Sequence, residues 1–381
     1  MRSALGCGAL GLLLLGVAGT FDAEPLYVTG SALALLGLGA YAWITAGAWG
    51  ASVRRELGAR SVVEEEPLHV LIEATAGRLP LPPGWIDEPL LPEPVRFKSG
   101  RRIARVRVEV TFGRRGRRSL APPALVLRDA FGLAQRVVVG AEPDELLVLP
   151  RVYPVAVSAG GGEAATAHAR AALTAAAETE IDGLRPHREG APASRIHWPA
   201  LARGAGLMER RLISESDSRP LVLLDPRAPE TPEALDAAVR AAASLTVHFA
   251  RKGGCALLLP GDRRANVIER DLLAWPQAHA RLAIVEEHTG PALAAAQNRR
   301  GLIAYVAART IDRTPRGLGR TPGGCLLIVP GRLPSRRAVL EVAGCAGYVA
   351  GRVGSAAAMA AVEGRSLGAT AAPRSARRAI G

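Results

Sequence analysis

The sequence predicts three parts in order: a hairpin of two transmembrane helices, a small β-sandwich-like domain, and an α/β domain built on a parallel sheet. Three observations carry this prediction. Two long runs near the N-terminus contain no charged residue, residues 54–155 hold short apolar segments broken by Pro and Gly, and the chain after Arg219 alternates apolar strands with helices. An apolar content of 49% in 381 residues supplies the cores that such domains need.

The membrane anchor comprises residues 1–53, and its uncharged runs cover residues 3–21 and 26–53. About 20 helical residues cross a hydrocarbon layer of roughly 30 Å, so each run is long enough to span a bilayer. We expect helices over about residues 3–21 and 26–50. A cleavable signal peptide ending near Ala18 is the alternative for the first run, and it leaves the second run as an anchor.

The charges beside these runs predict their orientation. Basic residues flank the outer ends of the pair, while the short connection between the runs carries only acids. By the positive-inside rule, both ends of the hairpin then face the cytoplasm. We therefore predict a multi-pass protein of the inner (plasma) membrane, in contact with the lipid bilayer, with its soluble domains in the cytoplasm. The flanking basic residues are Arg2, Arg54, Arg55 and Arg60.

The β domain is expected over residues 54–155, with strands at 68–73, 103–112, 124–127, 136–139 and 146–149. Within it, residues 96–118 carry ten basic groups and one acid, Glu109. Three interpretations are open: a solvated strand face with a basic hairpin, contact with anionic lipid, and nucleic-acid binding. Charge runs usually mark solvated faces, and no aromatic platform accompanies this one, so we expect no nucleic-acid partner. The formal charge of +13 does not change this, because the basic residues are almost all Arg, a bias typical of GC-rich coding.

The rest of the chain divides by composition. Residues 156–178 are rich in Gly and Ala and predict a linker. Residues 179–218, here called the signature segment, follow neither helical nor strand periodicity. Residues 219–354 form the predicted α/β domain, with a helix over 232–252 that Thr231 caps and further helices at 271–280, 291–299 and 335–343. Residues 355–381 predict a disordered basic tail.

Asp225 ends an apolar strand of the α/β domain, and such sheets bind ligands beyond the carboxyl ends of their strands. In a von Willebrand factor A domain this position opens a D-x-S-x-S motif whose oxygens hold magnesium. Here the loop reads D-P-R-A-P, so both hydroxyls are replaced and Arg227 adds positive charge. We predict a degenerate metal site and a structural carboxylate paired with a nearby Arg. A metal-dependent ligand-binding protein is the alternative.

His197, beside Trp198, is a candidate general base or part of a phosphate-binding cluster. Catalysis also needs a nucleophile within reach, and the nearest hydroxyl, Ser194, lies in no nucleophile elbow. We favour a buried polar network in which Trp198 fills the space beneath. A hydrolase that uses His197 is the alternative. The candidate binding residues of the signature segment are Arg185, Arg195, His197, Trp198 and Arg203.

The sequence gives no sign of a cofactor, since it contains neither a Gly-rich phosphate loop nor a C-x-x-C spacing. Each of three cysteines lies in or beside an apolar run, which predicts small buried hydrophobic residues rather than ligands or nucleophiles. These cysteines are Cys255, Cys325 and Cys345.

Two stretches resemble bacterial membrane proteins that carry the domain of unknown function numbered fifty-eight. The first, LRPHREGAPASRIHWPALARGAGLMERRL, covers residues 184–212, and the second, RRGRRSLAPPALVLRDAFGL, covers residues 114–133. The matching positions of the first are Leu184, Arg185, Gly190, Arg195, Ile196, His197, Trp198, Ala202, Arg203, Leu207 and Arg210. Those of the second are Arg115, Gly116, Arg117, Leu120, Pro122, Asp129, Phe131, Gly132 and Leu133. Departures are His187 for Tyr, Ala191 for Asp, Pro199 for a basic residue and Ala130 for Pro.

This resemblance implies a von Willebrand A-like (Rossmann-type) terminal domain, often with a degenerate metal site, and no established enzymatic activity. It also implies association with MoxR-type AAA+ ATPases and membrane transglutaminase-like proteins. We expect a non-enzymatic, membrane-anchored cytosolic adaptor or scaffold that docks such an ATPase or its client. The loss of the acid at Ala191 removes any charged contact that the family makes there.

Overall fold

The computed structural model describes residues 2–157, 181–186, 198–204, 206–212, 219–287, 290–297, 299–316, 318 and 323–350. The chain divides into two compact units. Unit 1 comprises residues 1–151 with residues 279–285, and unit 2 comprises residues 152–278 and 286–381. The predicted β domain ends at residue 155, whereas unit 1 also includes the N-terminal helices and residues 279–285.

Unit 1 begins with two apolar helices, α1 (Arg2–Phe21) and α2 (Glu24–Ala48), which match the predicted spans to within two residues. Both are long and apolar enough to cross a membrane. The helices pack through glycine. A Cβ on Gly11 would lie 2.3 Å from the backbone N of Ala34, and one on Gly37 would lie 2.4 Å from the backbone N of Gly8. Such contacts require residues without side chains.

Ten strands of unit 1 form three sheets, in the orders β1-β3-β6, β2-β10-β7 and β5-β4-β8-β9. The predicted β character of this domain is confirmed, and the strands are spread over these three sheets. The strands are β1 (Ser52–Leu57), β2 (Ser61–Val63), β3 (Pro67–Thr75), β4 (Gly84–Asp87), β5 (Val95–Phe97), β6 (Ile103–Thr111), β7 (Gly116–Leu120), β8 (Ala124–Arg128), β9 (Gln135–Val139) and β10 (Asp144–Leu149).

The core of unit 1 joins the helix ends to the sheets. Ile44 of α2 is fully buried in the same apolar cluster as Ile72, Ile86 and Leu125 of the strands. In β6 the exposed and partly buried side chains alternate, which confirms the predicted strand with one face in water. One expectation needs correction: Arg55, counted among the flanking positive charges, is buried within the β domain.

Unit 2 is built on an eight-stranded sheet with the order β11-β19-β20-β18-β17-β14-β15-β16. The four central strands, β15, β14, β17 and β18, are parallel and almost entirely buried, as a sheet covered on both faces requires. The four outer strands are antiparallel to their neighbours. The strands are β11 (Ala156–Val157), β14 (Leu221–Asp225), β15 (Cys255–Leu258), β16 (Asn266–Ile268), β17 (Ile303–Ala307), β18 (Cys325–Pro330), β19 (Leu340–Val342) and β20 (Cys345–Ala350).

The parallel prediction was therefore wrong for β20, and the predicted helix at 335–343 was also wrong. That region forms a turn followed by β19, which returns into β20 through a two-residue connection. Ala343 (φ +51°) and Gly344 (φ +81°) form this connection, and Val342 pairs with Cys345. Two positive φ values are typical of the tight hairpin turn that matches the twist of antiparallel strands. Ala rarely adopts a positive φ, so the sequence contains no recognisable turn signal for this hairpin.

The helices of the α/β domain agree with the prediction in part. α4 (Pro232–Gly253) begins at the expected residue, and the Thr231 hydroxyl accepts a hydrogen bond from the Ala234 amide at 3.2 Å. α5 (Trp275–Ala283) starts four residues later than predicted, after Leu272 with φ +58°. In place of the helix predicted at 291–299, α6 (Ala294–Gln297) has a single turn.

The signature segment contains more regular structure than predicted. β12 (Ile181–Pro186) and β13 (Met208–Leu212) form an antiparallel pair, and the short helix α3 (Trp198–Ala202) lies between them in sequence. β11 occupies the first residues of the predicted linker and pairs with β19. The remaining linker residues and the predicted basic tail lie outside the described residues.

Candidate functional site

The best candidate site of unit 2 lies where the order of the parallel strands reverses. The chain passes from β14 to β15 on one side of β14 and later returns to β17 on its other side. Asp225, the last residue of β14, pairs with Ala307, the last residue of β17. In open α/β sheets a crevice forms outside the carboxyl ends of the strands at this reversal, and ligands bind there.

The Asp225 carboxylate is buried and bound by groups of its own chain. Arg227 donates from Nε to Oδ1 at 2.8 Å and from Nη2 to Oδ2 at 2.9 Å. The Tyr305 hydroxyl, from the neighbouring strand β17, also donates to Oδ2. The side chain of Asp225 is 1% exposed, whereas that of Arg227 is 42% exposed. A bidentate guanidinium–carboxylate pair of this kind fixes both groups in one orientation.

The pKa values show that this pair stays charged. Burial acts most strongly on Asp225 and by itself would raise the pKa, but the hydrogen bonds from Arg227 and Tyr305 outweigh it and the net pKa is lowered. The hydrogen bond to Asp225 raises the pKa of Arg227. Burial, followed by the hydrogen bond to the Asp225 carboxylate, raises the pKa of Tyr305, which therefore keeps its proton.

A second guanidinium lies beside the first. Arg309, in the loop after β17, donates from Nη1 to the backbone oxygen of Arg227 at 3.1 Å, and its Nη2 lies 3.7 Å from Asp225 Oδ2. Its side chain is 31% exposed. Gly290 approaches Arg227 closely enough that a Cβ would lie 2.7 Å from the guanidinium carbon. The site thus presents two partly exposed guanidinium groups above one buried carboxylate.

This geometry confirms the predicted pairing of Asp225 with a nearby Arg. A cation bound at Asp225 would have to displace a guanidinium that already contacts both carboxylate oxygens. Within the described residues, no group of three or more His, Cys, Asp or Glu side chains is placed to hold a metal ion. The contribution of Tyr305 was missed, because this residue lies 80 positions away and nothing in the apolar strand sequence marks it.

The candidate residues of the signature segment are only partly described. Arg185 lies in β12 at the register position opposite Glu209 of β13. Trp198 begins α3 with 60% of its surface exposed, so the expectation that its ring fills a buried space is wrong. Arg203 is exposed just after the same helix. Arg195 and His197 lie outside the described residues, so their predicted roles, including the hydrolase alternative, stay predictions.

The three cysteines of unit 2 are free thiols and lie in the sheet as buried residues, as predicted. Burial raises the pKa of each thiol to about 12. Such thiols stay protonated near neutral pH and make poor nucleophiles or ligands. They are Cys255, Cys325 and Cys345.

No protein-family model and no curated protein matches this chain. The resemblance described above therefore stays an expectation that depends on the two motifs.

Proposed function

We propose that this chain is a membrane-anchored cytosolic adaptor without enzymatic activity, which docks a MoxR-type AAA+ ATPase or its client through the carboxyl edge of the unit 2 sheet. The observation that carries the proposal is that Arg227 occupies both carboxylate oxygens of Asp225. Where a metal-dependent domain of this shape would keep its carboxylate for a cation, here Arg227 binds both oxygens while its side chain stays 42% exposed. Recognition by fixed guanidinium groups is the chemistry that such a site offers.

The strand order supports a von Willebrand A-like, Rossmann-type interpretation of unit 2. With β14 counted as the first strand, the five strands from β16 to β18 follow the order 3-2-1-4-5. This order is that of the doubly wound fold over its first five strands. Two strands depart from it in direction, because β16 in the third place and β20 in the sixth are antiparallel to their neighbours.

The anchor part of the proposal is supported by the packing of α1 against α2 and by their charges. Small residues at the contact are typical of membrane helix pairs. Both ends of the hairpin carry Arg, and Arg54 and Arg60 remain exposed to reach lipid headgroups or solvent. By the positive-inside rule the sheets then lie in the cytoplasm of a multi-pass inner-membrane protein.

A binding measurement tests the adaptor proposal. The full chain, reconstituted in lipid nanodiscs, is titrated with a MoxR-type ATPase from the same genome. We expect saturable binding that Arg309→Glu weakens about tenfold, because charge reversal at the rim of an interface repels an acidic partner surface. Arg270→Glu is the matched control. This residue follows β16, which runs antiparallel to β15, and is exposed at the opposite edge of the sheet.

Two results would contradict the proposal. One is that the wild-type chain does not bind the ATPase or any membrane protein recovered with it. The other is that Arg309→Glu and Arg270→Glu bind equally well while both remain folded. The same titration with Arg195→Ala, His197→Ala and Trp198→Ala tests whether the signature segment belongs to the docking surface, for which we expect weaker binding.

A calorimetric titration with magnesium or manganese tests the metal-dependent alternative. We expect no saturating heat, because a cation must break the bidentate Arg227 pair before it reaches Asp225. One-site saturation in the wild-type chain would contradict the interpretation of Asp225 as a structural carboxylate.

A further inference from the structure

Unit 1 contains a cavity of about 410 Å³ beside the sheet β5-β4-β8-β9. It lies between the β4–β5 hairpin on one side and the turn that joins β8 to β9 on the other. Its walls combine aromatic rings with two guanidinium groups. The residues that carry the argument are Pro83, Trp85, Arg96, Phe97, Arg128 and Phe131.

The charge in this cavity is positive. Arg96 and Arg128 are both exposed, and neither pairs with a carboxylate within the described residues. Asp129 also lines the cavity, but the residue is only 8% exposed and its carboxylate accepts hydrogen bonds from the backbone amides of Phe131, at 2.9 Å, and Ala134. Two unpaired guanidinium groups in one cavity suit a phosphate.

The side chain of Arg128 lies close to the turn that follows it. Gly132 has φ +73°, and a Cβ there would lie 2.6 Å from Nη2 of Arg128. The guanidinium therefore lies over the backbone of Gly132. The backbone amide of Arg128 donates to the backbone oxygen of Pro83 at 2.9 Å. The Arg128 side chain therefore lies against this turn and remains exposed at the cavity.

The cavity lies beside the end of the second apolar helix. Pro82 contacts α2 at Gly47, where a Cβ would lie 2.3 Å from the proline ring, and the next residue, Pro83, lines the cavity. α2 ends at Ala48, so the Pro83 wall of the cavity lies next to the last turn of the helix. Near this level Trp49 is 76% exposed, as aromatic residues are where a membrane meets water.

We propose that this cavity binds the phosphate of an anionic phospholipid headgroup through Arg96 and Arg128, with the exposed Phe131 ring against the lipid. The inference rests on the proposed membrane anchoring, because the helix end places the cavity at the headgroup layer. Within the basic stretch 96–118, the inference assigns lipid contact to Arg96. Other arginines of the stretch have different surroundings, since Arg105 pairs with Glu73 at 2.6 Å and Arg115 is buried.

The test uses the full chain in neutral detergent micelles, titrated with short-chain phosphatidylglycerol, with short-chain phosphatidylcholine, or with inorganic phosphate. We expect preferential binding of phosphatidylglycerol. The double variant Arg96→Gln/Arg128→Gln is expected to bind it about 30-fold more weakly, since each basic group near a headgroup contributes roughly a fivefold gain in affinity. The matched control is Arg117→Gln/Arg118→Gln, which removes the same charge from exposed positions of β7 in the same domain.

Three results would overturn the inference. The first is that the two phospholipids bind equally well, and the second is that the two double variants lose the same binding affinity for phosphatidylglycerol. The third is that inorganic phosphate displaces phosphatidylglycerol at concentrations comparable to that of the lipid. Alkaline extraction of membranes that contain the wild-type chain separates this inference from the proposed function. A chain that leaves the membrane contradicts the anchoring, whereas a chain that stays embedded but shows no phosphatidylglycerol preference contradicts the lipid site alone.

Discussion

Two adjacent arginines of β1 have opposite surroundings. The Arg54 side chain is 64% exposed and forms ion pairs with Glu56 and Glu73 on the strand surface. The Arg55 side chain is fully buried. It donates to Glu88 at 2.5 Å and to Asp144 at 2.8 Å, and Nη2 donates to the backbone oxygens of residues 120 and 121. Alternation along the strand sends one guanidinium to water and the next to the interior.

We predict that Arg55→Gln destabilises unit 1 by roughly 3–5 kcal/mol, because it leaves the fully buried Glu88 carboxylate without its cation. Arg54→Gln is the matched control and should cost only a small fraction of this, since Glu56 is exposed and the buried Glu73 keeps its ion pair with Arg105. Denaturant unfolding of both variants in detergent provides the comparison. Equal losses of stability in the two variants would contradict the buried cluster.

The lowered pKa of Asp225 predicts a pH dependence for unit 2. A carboxylate whose folded pKa is depressed adds stability above its ordinary value of 3.8, and this contribution is lost as the pH falls through the folded pKa. The Tm difference between the wild type and Asp225→Asn should therefore be constant above about pH 5 and shrink below pH 3.8. A difference that grows on acidification would show that the wild-type pKa is raised instead.

Among the contacts of Asp225, only the one within its own loop could be predicted from the sequence. The Asp225–Arg227 pair was predictable because both residues lie in one loop, two positions apart. Tyr305 and Arg309 reach the same carboxylate only after β17 pairs with β14, and no local pattern marks that contact. Trp198 was expected to fill the space beneath a buried polar network, although at the start of the short helix α3 it is exposed.

Among the secondary-structure elements, those with strong local signals were predicted well. The two apolar helices, the capped helix α4 and the central parallel strands all have periodicity or composition that no other structure explains. Apart from the short helix α3, the elements that were missed are short strands. Strands β1, β4 and β7 carry charged or Gly-rich sequences, and their pairing is decided by partners distant in the chain.

The packing of α1 against α2 predicts opposite outcomes for two glycine substitutions in α1. Gly11→Val should separate the helices, because even a single Cβ would overlap the backbone of Ala34, whereas Gly16→Val should be tolerated because nothing lies within 4 Å of its Cβ position. The readout is a disulfide between Leu33→Cys and the native Cys7, whose thiol lies 3.5 Å from the Leu33 oxygen. Counting free thiols after oxidation should reveal the disulfide with Gly16→Val and its loss with Gly11→Val.

The opposite order of the two variants, or an equal yield of disulfide in both, would show that the glycines do not determine the helix contact. The remaining cysteines are buried in the sheet of unit 2 and serve as an internal reference for the thiol count.

At the scale of the whole molecule, an apolar helical hairpin is followed by a chain of high positive charge. The formal charge of +13 favours the anionic inner face of a membrane, and each exposed basic residue near that face contributes roughly 1 kcal/mol. The two apolar helices on which the proposed anchoring rests were predictable from the sequence, since two uncharged runs mark them. The cavity proposed to bind lipid could not be predicted, because Arg96 and Arg128 come together only through the pairing of β5 with β4 and of β4 with β8.

Protease protection tests the central claim, a hairpin that holds both units on the cytoplasmic side. Thermolysin is added to intact spheroplasts and to inverted inner-membrane vesicles that contain the full chain, with markers of each compartment as controls. We predict that units 1 and 2 are degraded in inverted vesicles and protected in spheroplasts. Degradation of the sheets in intact spheroplasts, with the cytoplasmic marker protected, would contradict the orientation and with it the cytosolic adaptor.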